Sequence, residues 1–273
     1  MRSSQASALA RHAEGVAACR LCPRLVEWRE QVAREPRASF AGERYWARPV
    51  PGFGDPRATI LLLGLAPAAH GANRTGRIFT GDRSGDFLFA ALARAGLANQ
   101  ALSRSRDDGL KLNGVWVTAA VRCAPPANRP MPAERDNCLP WTARELELLP
   151  RVRVIMCLGA FAWQAALRLV APASAGGGAR RARPSFGHGA EAPLGRVTLL
   201  GCYHPSQQNT FTGKLTETML DSVLTRARAV AELPQRLPDE DVEAPSAAAL
   251  RTPAGRRSSH STSSPAGSGR ANR

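Results

Sequence analysis

Six cysteines punctuate this chain of 273 residues, and four of them are spaced for chemistry. Cys19 and Cys22 form a C-x2-C turn, which aims two thiolates at one point. Cys123 and Cys138, set in Pro-rich and Arg-rich surroundings, make a second pair. Four thiolates hold either a tetrahedral zinc ion or an iron–sulfur cluster, and spacing does not choose between them. Four ordinary reduced thiols are the bland alternative. Cys157 and Cys202 lie inside apolar, strand-like runs, where a thiol behaves as a small buried hydrophobe.

Two loops carry groups of another kind. Residues 64–82 read GLAPAAHGANRTGRIFTGD and residues 203–209 read YHPSQQN. Glycines at 71, 76 and 81 permit tight turns and close approach of backbone to a ligand. Asp82 is suited to orient a water, and His204 to donate a hydrogen bond to charge developing on a leaving group. Each has a plainer use: Asp82 as a helix cap, His204 as a satisfied histidine.

These residues need a frame. Residues 58–64 are a short apolar run ending in glycine, as in a strand buried on both faces. Further strand-like runs cover 115–120, 152–158 and 197–202. Helical spacing follows each of them, over 86–95, 134–149, 161–170 and 216–233. Ser84 is a candidate N-cap for the first of these helices and Gly96 its stop. Residues 10–35 look helical, broken by the turn at 19–23, and 46–57 form an extended entry segment. Residues 171–195 read as a mobile, basic, glycine-rich loop. The expected fold is an α/β three-layer sandwich with a central, mainly parallel four-stranded sheet. Both site loops then leave the carboxyl ends of strands, where such sheets bind ligands.

Charge narrows the ligand. The formal net charge is +15, and only Lys111 and Lys214 among the 37 basic residues are lysines. A positive field of that size suits a polyanion, and arginine forks match phosphates and base edges. A bias toward arginine without a target is the alternative. With a nucleic acid as partner, Phe79 offers a flat face for a flipped base, although a lone Phe is by default core. No run approaches the ~20 apolar residues of a membrane span, and no apolar leader follows Met1. A cytoplasmic monomer without membrane contact is expected. Residues 1–235 are expected to form one domain. Residues 236–273, ending in a stretch of Ala, Ser, Pro, Gly and Arg, are expected to be a disordered basic tail.

The run 64–82 resembles, almost throughout, the first motif of the uracil-DNA glycosylase superfamily in its type B branch, family 5. Cys202-Tyr203-His204-Pro205-Ser206 resembles the second motif. Cys19, Cys22, Cys123 and Cys138 match the [4Fe–4S] ligands of its iron–sulfur members, and the likeness covers roughly residues 15–232. It implies a structural cluster and hydrolysis of damaged bases from DNA. Phe79 would stack on the base, with Gly64, Ala66 and Ala68 beside it. His204 would stabilise the anionic leaving group, Asp82 would hold or activate the water, and Asn128 would assist. Arg74, Arg77, Arg129 and Ser206, with the basic stretch 179–183, would contact the DNA. Family 4 enzymes have Gly-Glu-Ala-Pro-Gly in the first motif and a uracil-reading asparagine after the second strand's threonine. Leu65 and Ala119 stand in those places here. The implied enzyme is therefore broad, accepting uracil and deaminated purines such as hypoxanthine, in single- or double-stranded DNA.

Overall fold

The apolar runs of the sequence lie side by side in the computed structural model, which describes residues 2–170 and 183–232. Strands β2 (Ile60–Gly64), β3 (Val115–Ala119), β4 (Val154–Leu158) and β6 (Val197–Cys202) are parallel, in the order β3-β2-β4-β6. All residues of β2, β3 and β4 are buried, as strands covered on both faces must be.

Two short antiparallel strands extend this sheet to six. β1 (Phe53–Gly54) pairs with β3, and β5 (Glu191–Leu194) pairs with β6. β5 falls within the segment expected to be a mobile loop. Its four residues include Pro193, which a strand tolerates only at an edge, so its sequence carries little strand signal. Gly195, at φ +60°, makes the tight turn into β6. Residues 171–182 and the tail from 233 lie outside the described residues.

Side chains alternate across the sheet and build a core on each face. Ile60, Leu62, Val117, Met156 and Leu200 meet helices α4 (Arg83–Arg94) and α8 (Glu217–Val230) through Leu88, Leu92, Leu220 and Leu224. Leu61, Leu63, Ile155 and Leu199 meet α5 (Pro132–Leu148) and α6 (Ala160–Val170) through Leu146, Ala162 and Trp163. Helix α1 (Arg2–Ala18) adds Leu9 to this second core, and α2 (Pro23–Arg34) follows the cysteine turn. No helix among the described residues is long and apolar enough to cross a membrane.

Helix α4 starts earlier than Ser84 suggests. Its N-cap is Asp82, whose Oδ1 accepts the Gly85 amide at 3.0 Å. A side chain at position 85 would strike the Phe79 carbonyl, so glycine is required there. Gly96, at φ +69°, stands just past the end, where the Leu97 amide reaches back to the Leu92 carbonyl at 2.8 Å.

A buried ion pair fastens β3 to α5. Glu145 accepts Arg122 Nη2 at 2.6 Å, Arg122 Nη1 at 3.1 Å and the Thr118 hydroxyl at 2.8 Å. Arg122 also donates to Thr142 at 3.1 Å, and both charged side chains are only 1% exposed. His12 of α1 packs on Trp141, with its Nε2 4.0 Å from Glu145. Glu145→Ala leaves the Arg122 charge buried and uncompensated, so urea denaturation should show a loss of about 3–5 kcal/mol. The double substitution Arg122→Met, Glu145→Leu should lose much less, since no lone charge remains.

Candidate active site and cysteine cavity

The carboxyl ends of β2 and β6 bring the two loops together. Phe79 adopts φ +54°, a left-handed conformation that a bulky residue holds only when its surroundings force it. Its ring lies over Gly64, the last residue of β2; a Cβ at Gly64 would stand 2.8 Å from the ring. The ring is 6.0 Å from that of His204, inclined at 37°. Phe79 is buried within the α4–α8 core, so it serves as core and as site wall at once.

Asp82 likewise has two uses. Oδ1 caps α4, while Oδ2 is turned to Gly71, where a Cβ would come within 2.1 Å of it. Burial raises the Asp82 pKa, and the amides of Gly85 and Ser84 only partly offset this. His204 is pushed down to about 4 by burial, so it is a neutral imidazole at pH 7. Its carbonyl accepts Asn209 Nδ2 at 2.8 Å. Ser206 caps the short helix α7 (Gln207–Phe211), accepting the Asn209 amide. The site thus offers a flat apolar face, a neutral donor and a desolvated carboxylate. Those parts suit cleavage of a bond whose leaving group is planar and becomes anionic.

The other expected residues are placed unevenly. The Ala68 carbonyl accepts the Gly71 and Asn73 amides and so shapes the first loop. Ala66 packs instead against the small core around Cys123 and Cys138. Arg74 binds the carbonyls of His70 and Gly81 and the carboxylate of Glu43, the last at 2.6 Å. Arg77 is 6% exposed and engaged by Asp108 at 2.5 Å, Ser103 at 2.7 Å and Thr80 at 3.0 Å. Both guanidinium groups therefore brace the loop from within. Asn128 and Arg129 are exposed, at and just beyond the 3-10 turn Pro126–Asn128, and Asn128 has φ +55°. No side-chain hydrogen bond among the described residues ties Asn128 to Asp82 or His204.

Other groups at this edge escaped sequence reasoning. Arg83 stands 5.6 Å from the ring of Phe211, which is 68% exposed, and Lys214 stands 5.2 Å from that of Tyr203. Tyr45 hydrogen-bonds His70 Nδ1 at 2.9 Å beside the first loop. Only proximity in sequence to the motifs hinted at Arg83 and Phe211; Tyr45 lies 25 residues from its partner and had no signal.

Beside Ala66 of the first loop, Cys19, Cys22, Cys123 and Cys138 line one cavity with Val26, Arg122, Asn137 and Trp141. The C-x2-C turn between α1 and α2 supplies two thiols, the loop after β3 one and α5 the last. Burial pushes Cys123 up to about 12 and raises Cys138 too. Such thiols become thiolates when a metal replaces the proton. Arg29 Nη1 donates to Cys123 Sγ at 3.0 Å, and Asn137 Nδ2 lies 3.6 Å from Cys22 Sγ. The four-thiol donor set and its N–H donors fit a sulfur-ligated metal group. Among the described residues, no three Cys, His, Asp or Glu side chains are placed to hold a single ion.

The family model of the uracil DNA glycosylase superfamily matches residues 51–228, which include both loops. The chain belongs to the uracil-DNA glycosylase superfamily. It is 57% identical over 218 residues to a type-5 uracil-DNA glycosylase of Mycobacterium tuberculosis, covering 79% of each chain. It is 56% identical over 217 residues to a type-5 uracil-DNA glycosylase of Thermus thermophilus, covering 79% of this chain and 95% of that one. A type-4 uracil-DNA glycosylase of Archaeoglobus fulgidus is 37% identical over 116 residues, 42% of this chain and 50% of that one. The protein is accordingly a hydrolytic glycosylase of this superfamily.

The raised pKa of Asp82 fixes the sign of a stability test. Folding favours its neutral form, so above its folded pKa the ionised carboxylate opposes folding. Asp82→Asn keeps a cap oxygen and discards the charge. It should hold or raise Tm at pH 7 while removing nearly all turnover, a pairing that thermal melts and single-turnover kinetics will check.

Proposed function

We propose that this enzyme hydrolyses the N-glycosidic bond of uracil in DNA, and of other deaminated bases such as hypoxanthine, to leave an abasic site that starts base excision repair. The meeting of Phe79, Asp82 and His204 at one sheet edge carries this proposal. An extruded base stacks on Phe79 against the Gly64 floor. As the bond breaks, the pair of electrons stays with the base and positive charge grows on the sugar. The neutral imidazole of His204 donates a hydrogen bond to the anionic base. Oδ2 of Asp82 holds the water, whose oxygen adds to the sugar carbon while its proton passes to the carboxylate.

Breadth follows from what the floor lacks. Ala119 ends β3 directly opposite Gly64 in register, with its methyl buried. No amide at that position rewards uracil over other planar bases. Arg83, Arg129 and Lys214 supply phosphate contacts, and the Ser206 hydroxyl has a proton to donate to one. Asn128 keeps its auxiliary role, in a left-handed turn of the kind retained where a ligand uses it. We assign the protein to the cytoplasm as a monomer.

The cysteine cavity holds a [4Fe–4S] cluster on Cys19, Cys22, Cys123 and Cys138. A bound cluster supplies four metal–sulfur bonds that cross-link the N-terminal turn, the loop after β3 and α5. The hydrolysis needs no electron transfer, so the role is structural. Iron and acid-labile sulfide should each be near four per chain, about the content of one cluster; zinc alone would overturn the assignment.

A lesion panel with alkali cleavage tests the activity on wild type, Asp82→Asn and His204→Ala. Uracil and hypoxanthine should both be released. Each variant should lose at least about a hundredfold in rate with DNA binding kept. No release by cluster-replete wild type refutes the function, and release of uracil alone refutes the breadth. The pH profile should show an acid limb above the ordinary carboxylate range, because burial raises Asp82. It should then stay level to about pH 8, since His204 is neutral throughout that range. A rate that falls between about pH 6 and 8 would mean a protonated His204 is the active form.

A further inference from the structure

Arg29 is a buried charge without an adequate protein partner. It lies in α2, 2% exposed, with Nε lacking any hydrogen-bond acceptor. The one carboxylate within ion-pair reach among the described residues is Glu30, 4.0 Å away, and Arg20 already holds it at 2.5 Å. What the guanidinium does touch is the cysteine site: Cys123 Sγ at 3.0 Å from Nη1 and the Cys19 carbonyl at 3.3 Å from Nη2. Arg122 also lines the cavity, but Glu145 neutralises it.

A guanidinium sealed from water beside a neutral thiol is expensive, because one carbonyl and a distant, shared carboxylate repay only part of its lost hydration. Beside an anionic group it is well placed. Four thiolates carry four negative charges, and a [4Fe–4S] core with two positive charges leaves the site at minus two. We propose that Arg29 is the resident counter-charge of the cluster, donating to the Cys123 thiolate, and that it sets the cluster's reduction potential and its retention. This rests on the cluster assignment above. Arg29 is a positioning residue: it touches a ligand sulfur and neither substrate nor reacting atoms.

The direction of the effect follows from charge. A cationic donor stabilises the reduced, more negative cluster, so it raises the potential. It also anchors the Cys123 ligand through its N–H donor, which slows the release of iron.

The test compares wild type with Arg29→Met and Arg29→Lys, all purified anaerobically. Two readouts are independent of base release: the potential by film voltammetry, and the decay of visible absorbance under an iron chelator. Arg29→Met should move the potential negative and speed decay about tenfold, the usual scale for losing a partner of a metal ligand. Arg29→Lys keeps the charge and should return the potential toward wild type while decaying faster than it. Arg29→Gln, a donor without charge, replaces Arg29→Met if that variant does not fold. Unchanged potential and decay in Arg29→Met, or equal potential shifts in the Met and Lys variants, overturns the proposal and leaves the cluster assignment standing. Wild type without iron and sulfide overturns both.

Discussion

The pair formed by Arg122 and Glu145 sits between the sheet and its outer helices, and much of the molecule is arranged around keeping it satisfied. Thr118 inside β3, Thr142 one turn away on α5 and His12 on α1 all converge on it. Even Gly52 has no room for a side chain, because a Cβ would lie 2.5 Å from Glu145. Breaking one partner of such a pair costs far more than never having made it. The elements that carry Cys123 and Cys138 are therefore locked to one another by polar contacts independent of any metal. They are also locked to β3, whose last residue, Ala119, pairs with the Gly64 that lies beneath the Phe79 ring.

Burial acts on Asp82 and His204 in opposite senses, and suits both to the proposed chemistry. It raises the carboxylic acid of Asp82 and lowers the imidazole of His204, in each case by penalising the charged form. A neutral histidine still carries one ring N–H to donate to an anion. A desolvated carboxylate interacts more strongly with positive charge growing on the sugar. The same desolvation opposes folding, so the site is a place where activity and stability pull apart.

The net positive charge pointed toward nucleic acid, but by a mixed route. Arg29, Arg77, Arg122 and Arg135 are buried and serve the fold or the cysteine cavity. Arginine replaces lysine there because its rigid fork can satisfy two or three oxygen acceptors at once, as Arg77 does with Asp108, Ser103 and Thr80. The surface share of the charge lies partly on residues that no motif singled out, such as Arg83 beside Phe211.

The parallel strands, the sandwich and the two site loops were legible in the sequence because each is a local pattern. Continuous apolar runs specify strands covered on both faces, and glycines at 64 and 71 leave room that nothing larger permits. The C-x2-C turn likewise announced two thiols at one point of the chain. The edge strands were not legible: two to four residues with a proline or glycine carry too little periodicity. Nor were the roles of Arg74 and Arg77 as internal braces, or the poorly compensated charge of Arg29 beside the cysteine cavity. Those depend on which side chains meet across the sheet and between helices. Contacts of that kind are set by three-dimensional packing, and a charge reveals whether it is free or buried only once its neighbours are in place.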